Sequence, residues 1–552
     1  MAQPLLRVIP LGGVGEVGKN LTVFEYGDDI IVVDCGLMFP EDEMLGVDLV
    51  LPDISYLVER RRRIRGIVLT HGHEDHVGAL PYYLQTLDVP VYGTPLTLGL
   101  VSAKLREFHL DAPADLREIR PREVLRLGAL EVEFFHVCHS IPDGIGVAVH
   151  SPVGTVVHTG EFKFDPTPFD GWLTDEAKLE ELGDRGVLAL LSDCVRVESP
   201  GFTPSERLVG EAFDRIIAQA PGRVIMATFA SNISRVQQCM LTAYRHGRKV
   251  ALVGRSMEQN FHVAQELGYV DVPPGVLRSV EEINQLPHHE VVFITTGAQG
   301  EPTSALSRIA NDDHRQIQLV AGDTVIISAT PVPGNEEAVA RTINNLFKQG
   351  ARVIYPGIDM VHVSGHASQE DLKLMIRLTR PKYVVPIHGD YRHMVLFGQL
   401  AQAEGVPAER VLIPDLGSVL EFGDGWGRVD GTVPAGAVLV DGLGVGDVGH
   451  VVLRDRRRLS QEGILVVIAA VERHSGRLVA GPDIVSRGFV DTRGAADLIE
   501  GARKLVADAL NHGGQGMSEW HFVHQKVRSV LGDYLYQQTG RRPLILPHVV
   551  EV

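Results

Sequence analysis

The chain has 552 residues, too long for one hydrophobic core and suited to about three or four domain-sized units, and its ordinary 44% apolar content excludes a fibrous or disordered protein. A net charge of −18 excludes a general basic coat for nucleic acid, although a local positive groove can still steer a polyanion. The four cysteines, Cys35, Cys138, Cys194 and Cys239, are widely spaced in apolar surroundings and read as reduced core thiols, not as a disulfide scaffold or a thiolate metal site.

Positions 1–13, MAQPLLRVIPLGG, lack a basic start, apolar core and cleavage site, and no stretch reaches about 18 uninterrupted apolar residues. A cytoplasmic protein with no membrane contact is expected. Leu6–Ile9 reads as a strand, followed by the glycine-rich turn Gly12–Asn20 and more β pattern from Leu21. A dinucleotide loop would run into a helix, so tight turns near a metal centre are expected instead, with Asn20 fixing a neighbouring loop. Ile30–Val33 is a buried strand whose end places Asp34 to accept a hydrogen bond from a ligand imidazole.

The densest chemistry follows in RGIVLTHGHEDH, residues 65–76. The strand Ile67–Leu69 delivers His71, His73, Asp75 and His76 from one turn. His71 and His73 lie close enough to converge on one ion, and Asp75 and His76 can reach a second; these are borderline donors suited to zinc or manganese. In HVCHSIPD, 136–143, His139 follows a strand and is the source of a third imidazole for the first ion. In VVHTGEFKFDP, 156–166, Glu161 follows another strand end and can bridge two cations, while Lys163 and Asp165 read as turn residues. Asp193 ends the strand after that. The basic runs Arg60–Arg63 with Arg65 and Arg454 with Arg456–Arg458 read as a solvated helix end and a solvated hairpin.

From 207 to 356 helices and strands alternate, which predicts a parallel sheet. Its strand ends display Ser231, Asn232, Arg235, Arg255 and Ser256, donors that suit an oxyanion or a sugar-phosphate backbone. In IDMVHVSGHASQED, 358–371, His362, Ser364, His366 and Ser368 precede a helix N-terminus, a phosphate-binding arrangement. PIHGD puts His388 at a strand end as the imidazole for the second ion, with His393 as local scaffold. Residues 441–455 are expected as a linker, and 456–552 as a small α+β domain for interaction or oligomerisation, with VVLRDR at 451–456 read as a strand.

The combination HGHEDH, HVCHS, TGEF, GHAS and PIHGD resembles the metallo-β-lactamase fold carrying a β-CASP insertion, and the whole chain is similar to the bacterial ribonuclease J family. The resemblance implies an α/β architecture. An αββα sandwich (1–206 and 357–440) would hold an inserted β-CASP α/β domain (207–356), followed by the small C-terminal α+β domain. It implies a cytoplasmic two-metal ribonuclease with 5′-to-3′ exonuclease activity on 5′-monophosphorylated single-stranded RNA and some endonuclease activity, acting as a homodimer or tetramer in RNA processing and decay. Two divalent ions are implied, Zn2+ first, with Mn2+ or Mg2+ for activity. The resemblance carries His71, His73 and His139 to the first ion, Asp75, His76 and His388 to the second, and Glu161 between them. Asp75 and His366 take catalytic roles; Ser231, Asn232, Arg235, His362, Ser364, His366 and Ser368 face RNA; Asp34 and Asp193 stand behind the ligands. The family usually carries aspartate where this chain has Glu161, one methylene longer. A small-molecule metallohydrolase such as a thioester hydrolase, or an RNA-binding scaffold with a degenerate metal site, are the competing readings.

Overall fold

Strands such as Leu21–Tyr26, Val187–Asp193 and Tyr383–Ile387 are buried at every position, because each sheet is covered on one side by helices and on the other by a second sheet. The structure, a computed structural model, describes residues 5–41, 43–110, 114–332, 334–472, 477–491, 495–511 and 520–552. It divides into two units, residues 1–39 with 49–438 and residues 40–48 with 439–552.

In the first unit, eight strands run in the order Gly427–Thr432, Ser418–Phe422, Leu6–Gly12, Leu21–Tyr26, Asp29–Val33, Ile64–Val68, Val91–Gly93, Leu116–Glu118. Six more run Tyr383–Ile387, Val187–Asp193, Gly154–His158, Ile145–Ser151, Leu130–His136, Val124–Leu127. Phe24, Ile31, Phe134, Val147, Leu190 and Phe422 belong to the core the two sheets share. Helices Glu176–Arg185, Gln369–Thr379 and Tyr391–Ala403 add Leu179, Met375 and Phe397 to it. This is the helix-flanked double sheet the sequence predicts.

The inserted segment forms a five-stranded sheet in the order Lys249–Val253, Val291–Thr295, Val224–Ala227, Thr324–Ile327, Arg352–Ile354, parallel throughout. Helices Arg207–Gln219 and Ile233–Arg245 contribute to an apolar cluster around Phe213, Met240 and Phe261, and a second cluster gathers around Phe293, Leu306 and Leu346. Arg255 opens helix Arg255–Glu266 and, with Ser256, is exposed.

Strand register positions the site. Asp29–Val33 runs parallel to Ile64–Val68, with Val33 opposite Val68. Gly154–His158 runs parallel to Val187–Asp193, which runs parallel to Tyr383–Ile387 with Asp193 opposite Ile387. The carboxyl ends of these strands therefore open at matching levels, and Asp34, the His71–His76 turn, Glu161, Asp193 and His388 leave from them. In parallel arrangements this is the edge where ligands bind.

The second unit has a three-stranded sheet, Leu478–Arg487, Ile464–Val471 and Leu544–Glu551, backed by helices Ala496–Asn511 and Trp520–Thr539. Leu465, Val467, Val506 and Leu531 form its core. The sequence pattern predicts a helix over Ser518–Thr539, whose start lies outside the described residues. Residues 451–456 are helix, not the predicted strand, and the basic run is not a hairpin: His450–Glu462 is one helix between Gly449 and Gly463, the latter at φ 75°. Thirteen residues free of Gly and Pro, closed by a left-handed glycine, are a helix signal that outweighs the two valines. Arg456 fixes it by donating to the Leu45 carbonyl at 3.0 Å and to the Asp441 carboxylate.

Candidate metal centre

Two groups of donor atoms meet at the strand ends, each within 4.8 Å: His71, His73, His139 and Glu161 in one, Asp75, His76, His388 and Glu161 in the other. Glu161 is shared because its two oxygens face opposite ways. Oε2 lies 2.9 Å from His139 Nε2 and 3.4 Å from His71 Nε2, while Oε1 lies 2.7 Å from His76 Nε2 and 3.0 Å from His388 Nε2. His73 Nδ1 closes the first group at 3.0 Å from His71 Nε2 and 3.3 Å from His139 Nε2. Imidazole nitrogens and carboxylate oxygens converging in a buried pocket fit two divalent cations of borderline character.

The far nitrogen of most of these rings is already engaged, which leaves the near one as ligand. His76 Nδ1 donates to Asp34 Oδ2 at 2.7 Å, and His139 Nδ1 donates to the Gly365 carbonyl at 2.9 Å. His388 Nδ1 donates to Asn20 Oδ1 at 3.2 Å. His71 Nδ1 is 3.1 Å from the Thr70 hydroxyl, which also donates to Asp34. Asp34 and His388 sit at φ 65° and 49°, left-handed conformations that side chains adopt at a cost of about 1–3 kcal/mol. Both are tied down: Asp34 accepts from Thr70 N at 2.8 Å, and His388 N donates to the Gly13 carbonyl at 2.6 Å. A Cβ at Gly365 would sit 2.7 Å from His139 Nδ1, so glycine is required for that approach.

Without cations the two groups differ in charge. Burial, helped by neighbouring imidazoles, holds His71 and His73 well below the usual histidine range, the neutral state a ligand needs. Burial also opposes charge on His76 and His388, but Glu161 and its neighbouring carboxylates prevail, lifting His76 well above that range and His388 to about 9. Burial raises Glu161 and the imidazoles around it, His388 first, override this and hold it well below the carboxylate range. Burial raises Asp75.

His366 stands beside both groups. Its Nδ1 meets Asp193 Oδ2 at 2.9 Å, its Nε2 lies 3.9 Å from Glu161 Oε2, and its ring stacks on His388 at 5.3 Å and 12°. Ser364 Oγ accepts from His366 N at 3.1 Å, and Ser231 is partly exposed on the turn before helix Ile233–Arg245. Other positions expected to face RNA are engaged internally. Asn232 is buried and caps that helix, its Oδ1 accepting from Arg235 N at 3.1 Å. Arg235 is wholly buried, reaching Glu206 Oε1 at 2.6 Å, His362 Nδ1 at 2.6 Å and the Ser328 carbonyl at 3.1 Å. Ser368 is buried against Thr203 Oγ1 at 2.8 Å. Arg235 ties the insertion to the segments carrying Glu206 and His362.

Lys163 and Asp165 are a buried ion pair at 3.2 Å, not turn residues, and Lys163 also reaches the Pro204 carbonyl at 3.2 Å. Asp371, in the first turn of helix Gln369–Thr379, accepts from Phe164 N, Thr203 N and Ser368 N at 2.8–3.0 Å. It thereby joins the Glu161 strand, the entry to the insertion and the His366 loop. Its sequence trace is the SQED spacing that closes a capping box with Ser368. Asn20 does more than fix a loop: besides His388, its Nδ2 meets the Asp75 carbonyl at 3.0 Å and His76 Nε2 at 3.0 Å.

Four family models match the chain: Metallo-beta-lactamase superfamily over residues 14–226; Ribonuclease J, beta-CASP domain over 221–346; Zn-dependent metallo-hydrolase RNA specificity domain over 352–414; and Ribonuclease J C-terminal domain over 451–552. Ribonuclease J2 of Bacillus subtilis is 44% identical over 548 residues, covering 99% of each chain. Ribonuclease J of Thermus thermophilus is 44% identical over 560 residues, covering 100% of this chain and 96% of that protein. Ribonuclease J 1 of Streptococcus pyogenes is 42% identical, covering 98% and 97%. A crystal structure of a protein of unknown function from Enterococcus faecalis shares the fold, with TM-score 0.54 and 17% identity over 77% of this chain and all of that one.

Proposed function

The chain belongs to the ribonuclease J family of the metallo-β-lactamase superfamily, and on that premise we propose that its cleft hydrolyses RNA phosphodiesters in RNA processing and decay. It acts 5′-to-3′ as an exonuclease on 5′-monophosphorylated single strands, with additional endonucleolytic cleavage. The observation that carries this reading is the pair of donor groups sharing Glu161, with His366 alongside.

His71, His73 and His139 would hold one divalent ion and Asp75, His76 and His388 the other, with Glu161 common to both. When bound, two such ions lower the pKa of water and neutralise charge on the scissile phosphate. The nitrogen-rich donor set favours Zn2+, with Mn2+ or Mg2+ able to support activity. Asp75, its side chain partly open to the cleft, orients the attacking water and accepts its proton. Burial opposes charge on His366, but Asp193 and Glu161 lift it above the usual histidine range. With Nδ1 fixed by Asp193, Nε2 is the atom that delivers a proton to the leaving 3′ oxygen. Ser364 and Ser231 supply hydroxyls for neighbouring phosphates.

No described helix is long and apolar enough to cross a membrane, and we place the enzyme in the cytoplasm as a homodimer. The outer face of the second unit's sheet, with Ile468, Val485, Leu546 and Val550 exposed, supports an assembly role for that unit. The test is incubation with 5′-labelled single-stranded RNA bearing mono- or triphosphate ends and added Mn2+ or Mg2+. Mononucleotide release restricted to monophosphate strands is expected. Absence of cleavage by folded protein would favour a binding scaffold.

A further inference from the structure

We propose that a cavity beside the metal centre is a subsite for one nucleobase of the bound strand, stacked on Trp172 and Phe169 and held by hydrogen-bond acceptors instead of cations; this rests on the ribonuclease reading. The cavity is about 310 Å3, at the small end of ligand clefts. The loop after Glu161 supplies Phe169, Asp170 and Trp172, and the insertion supplies Gln237, Tyr269 and Asp271. Phe169, Asp170 and Trp172 also line a narrow crevice whose wall includes the metal ligand His139. The cavity therefore shares a wall with a crevice that reaches one of the donor histidines, and the proposal seats in it a base neighbouring the phosphate at the donor groups.

The lining suits a base and not a phosphate. Trp172 is 50% exposed and Phe169 38% exposed, so two aromatic faces stand in water that a stacked base would displace. Trp172 is already positioned: its main-chain N–H donates to Asp170 Oδ1 at 3.0 Å, its main-chain carbonyl accepts from Cys138 Sγ at 3.0 Å, and its indole meets the His136 ring edge-on at 5.6 Å. No lysine or arginine lines the cavity, whereas Asp170 and Asp271 would repel a phosphate.

Gln237 supplies the second, independent sign of a ligand. It is 5% exposed, its Nε2 donates to the Asp271 carbonyl at 2.7 Å, and its Oε1 has no hydrogen-bond partner among the described residues. That donation fixes which way the amide faces; the unpaired oxygen is itself buried behind the cavity wall, so a base N–H donor meets it with a small outward shift of the side chain. Tyr269 does not provide one, since its hydroxyl donates to Asp143 Oδ2 at 2.7 Å. A nucleobase brings both a flat π-face and ring or amino N–H groups.

The test titrates full-length protein, in EDTA to prevent cleavage, with a 5′-monophosphorylated RNA oligonucleotide and with versions carrying one abasic ribose at successive positions. Wild type is expected to lose affinity by roughly 5- to 100-fold at one or two adjacent positions. Trp172→Ala loses as much on the intact strand and becomes indifferent to the abasic position; Trp172→Phe keeps the discrimination. Gln237→Ala narrows the difference between intact and abasic strands. The proposal is overturned if wild type binds RNA, and cleaves it once metal is restored, while Trp172→Ala and Gln237→Ala treat every strand as wild type does. Tight displacement of the strand by free adenosine would assign the cavity to a free nucleoside and overturn the strand subsite. Failure of wild type to bind or cleave any RNA is a separate result that removes the ribonuclease reading and the proposal together.

Discussion

Asn20→Ala separates the two donor groups. The lost amide oxygen is the acceptor for His388 Nδ1–H at 3.2 Å, and His388 sits at a strained φ of 49°, so the ring has reason to relax once that bond is gone. The loop itself survives, because the Asp75 carbonyl keeps its bond from the Asn20 main-chain N–H at 2.9 Å. No hydrogen bond joins Asn20 to His71, His73 or His139 among the described residues, so the first group is untouched. Loss of such a partner behind a ligand lowers metal affinity by about 10–100-fold, or roughly 1.4–2.8 kcal/mol. Calorimetric titration of EDTA-stripped protein with Zn2+ should therefore show one site unchanged and one weakened by that factor, with Asn20→Asp, which keeps an acceptor, recovering most of it. Equal weakening of both sites, or no change in either, would refute the assignment of Asn20 to His388.

Glu161→Ala removes a donor from both groups at once, so both ions should weaken together by elemental analysis after dialysis, while Glu161→Asp, which keeps a carboxylate, should retain both. His366→Ala removes no member of either group and should leave ion content intact while kcat falls by about 10²–10⁴-fold. Arg235→Ala leaves Glu206, nearly fully buried, with only the more distant Lys163 at 4.0 Å as a cation, and should destabilise the first unit by about 3–5 kcal/mol in chemical denaturation. A wild-type transition would place that pair among the dispensable ones.

The donor groups are legible because each member follows a strand end within a short motif, and strand ends are recognisable from apolar runs closed by small residues. The histidines at 71, 73 and 76 announce themselves by spacing, and His139, Glu161 and His388 by repeating that setting. Arg235 departs from expectation for a physical reason: an arginine at a strand-to-helix turn looks solvent-facing until the segments carrying Glu206 and His362 close over it. Lys163 and Asp165 disappear into the same junction. The Trp172 cavity is equally invisible in sequence, since its walls come from segments about a hundred residues apart. Helix His450–Glu462 was readable from its flanking glycines, but consecutive valines and arginines imitated an exposed hairpin.

The central claim is that paired divalent cations held around Glu161 cleave RNA. Its most direct test is 5′-monophosphorylated, labelled RNA incubated with protein as prepared, after EDTA, and after EDTA followed by Zn2+ or Mn2+. Mononucleotide release that vanishes with EDTA and returns with two equivalents of metal per chain is the predicted result. Full cleavage in EDTA, or recovery complete at one equivalent, would contradict it.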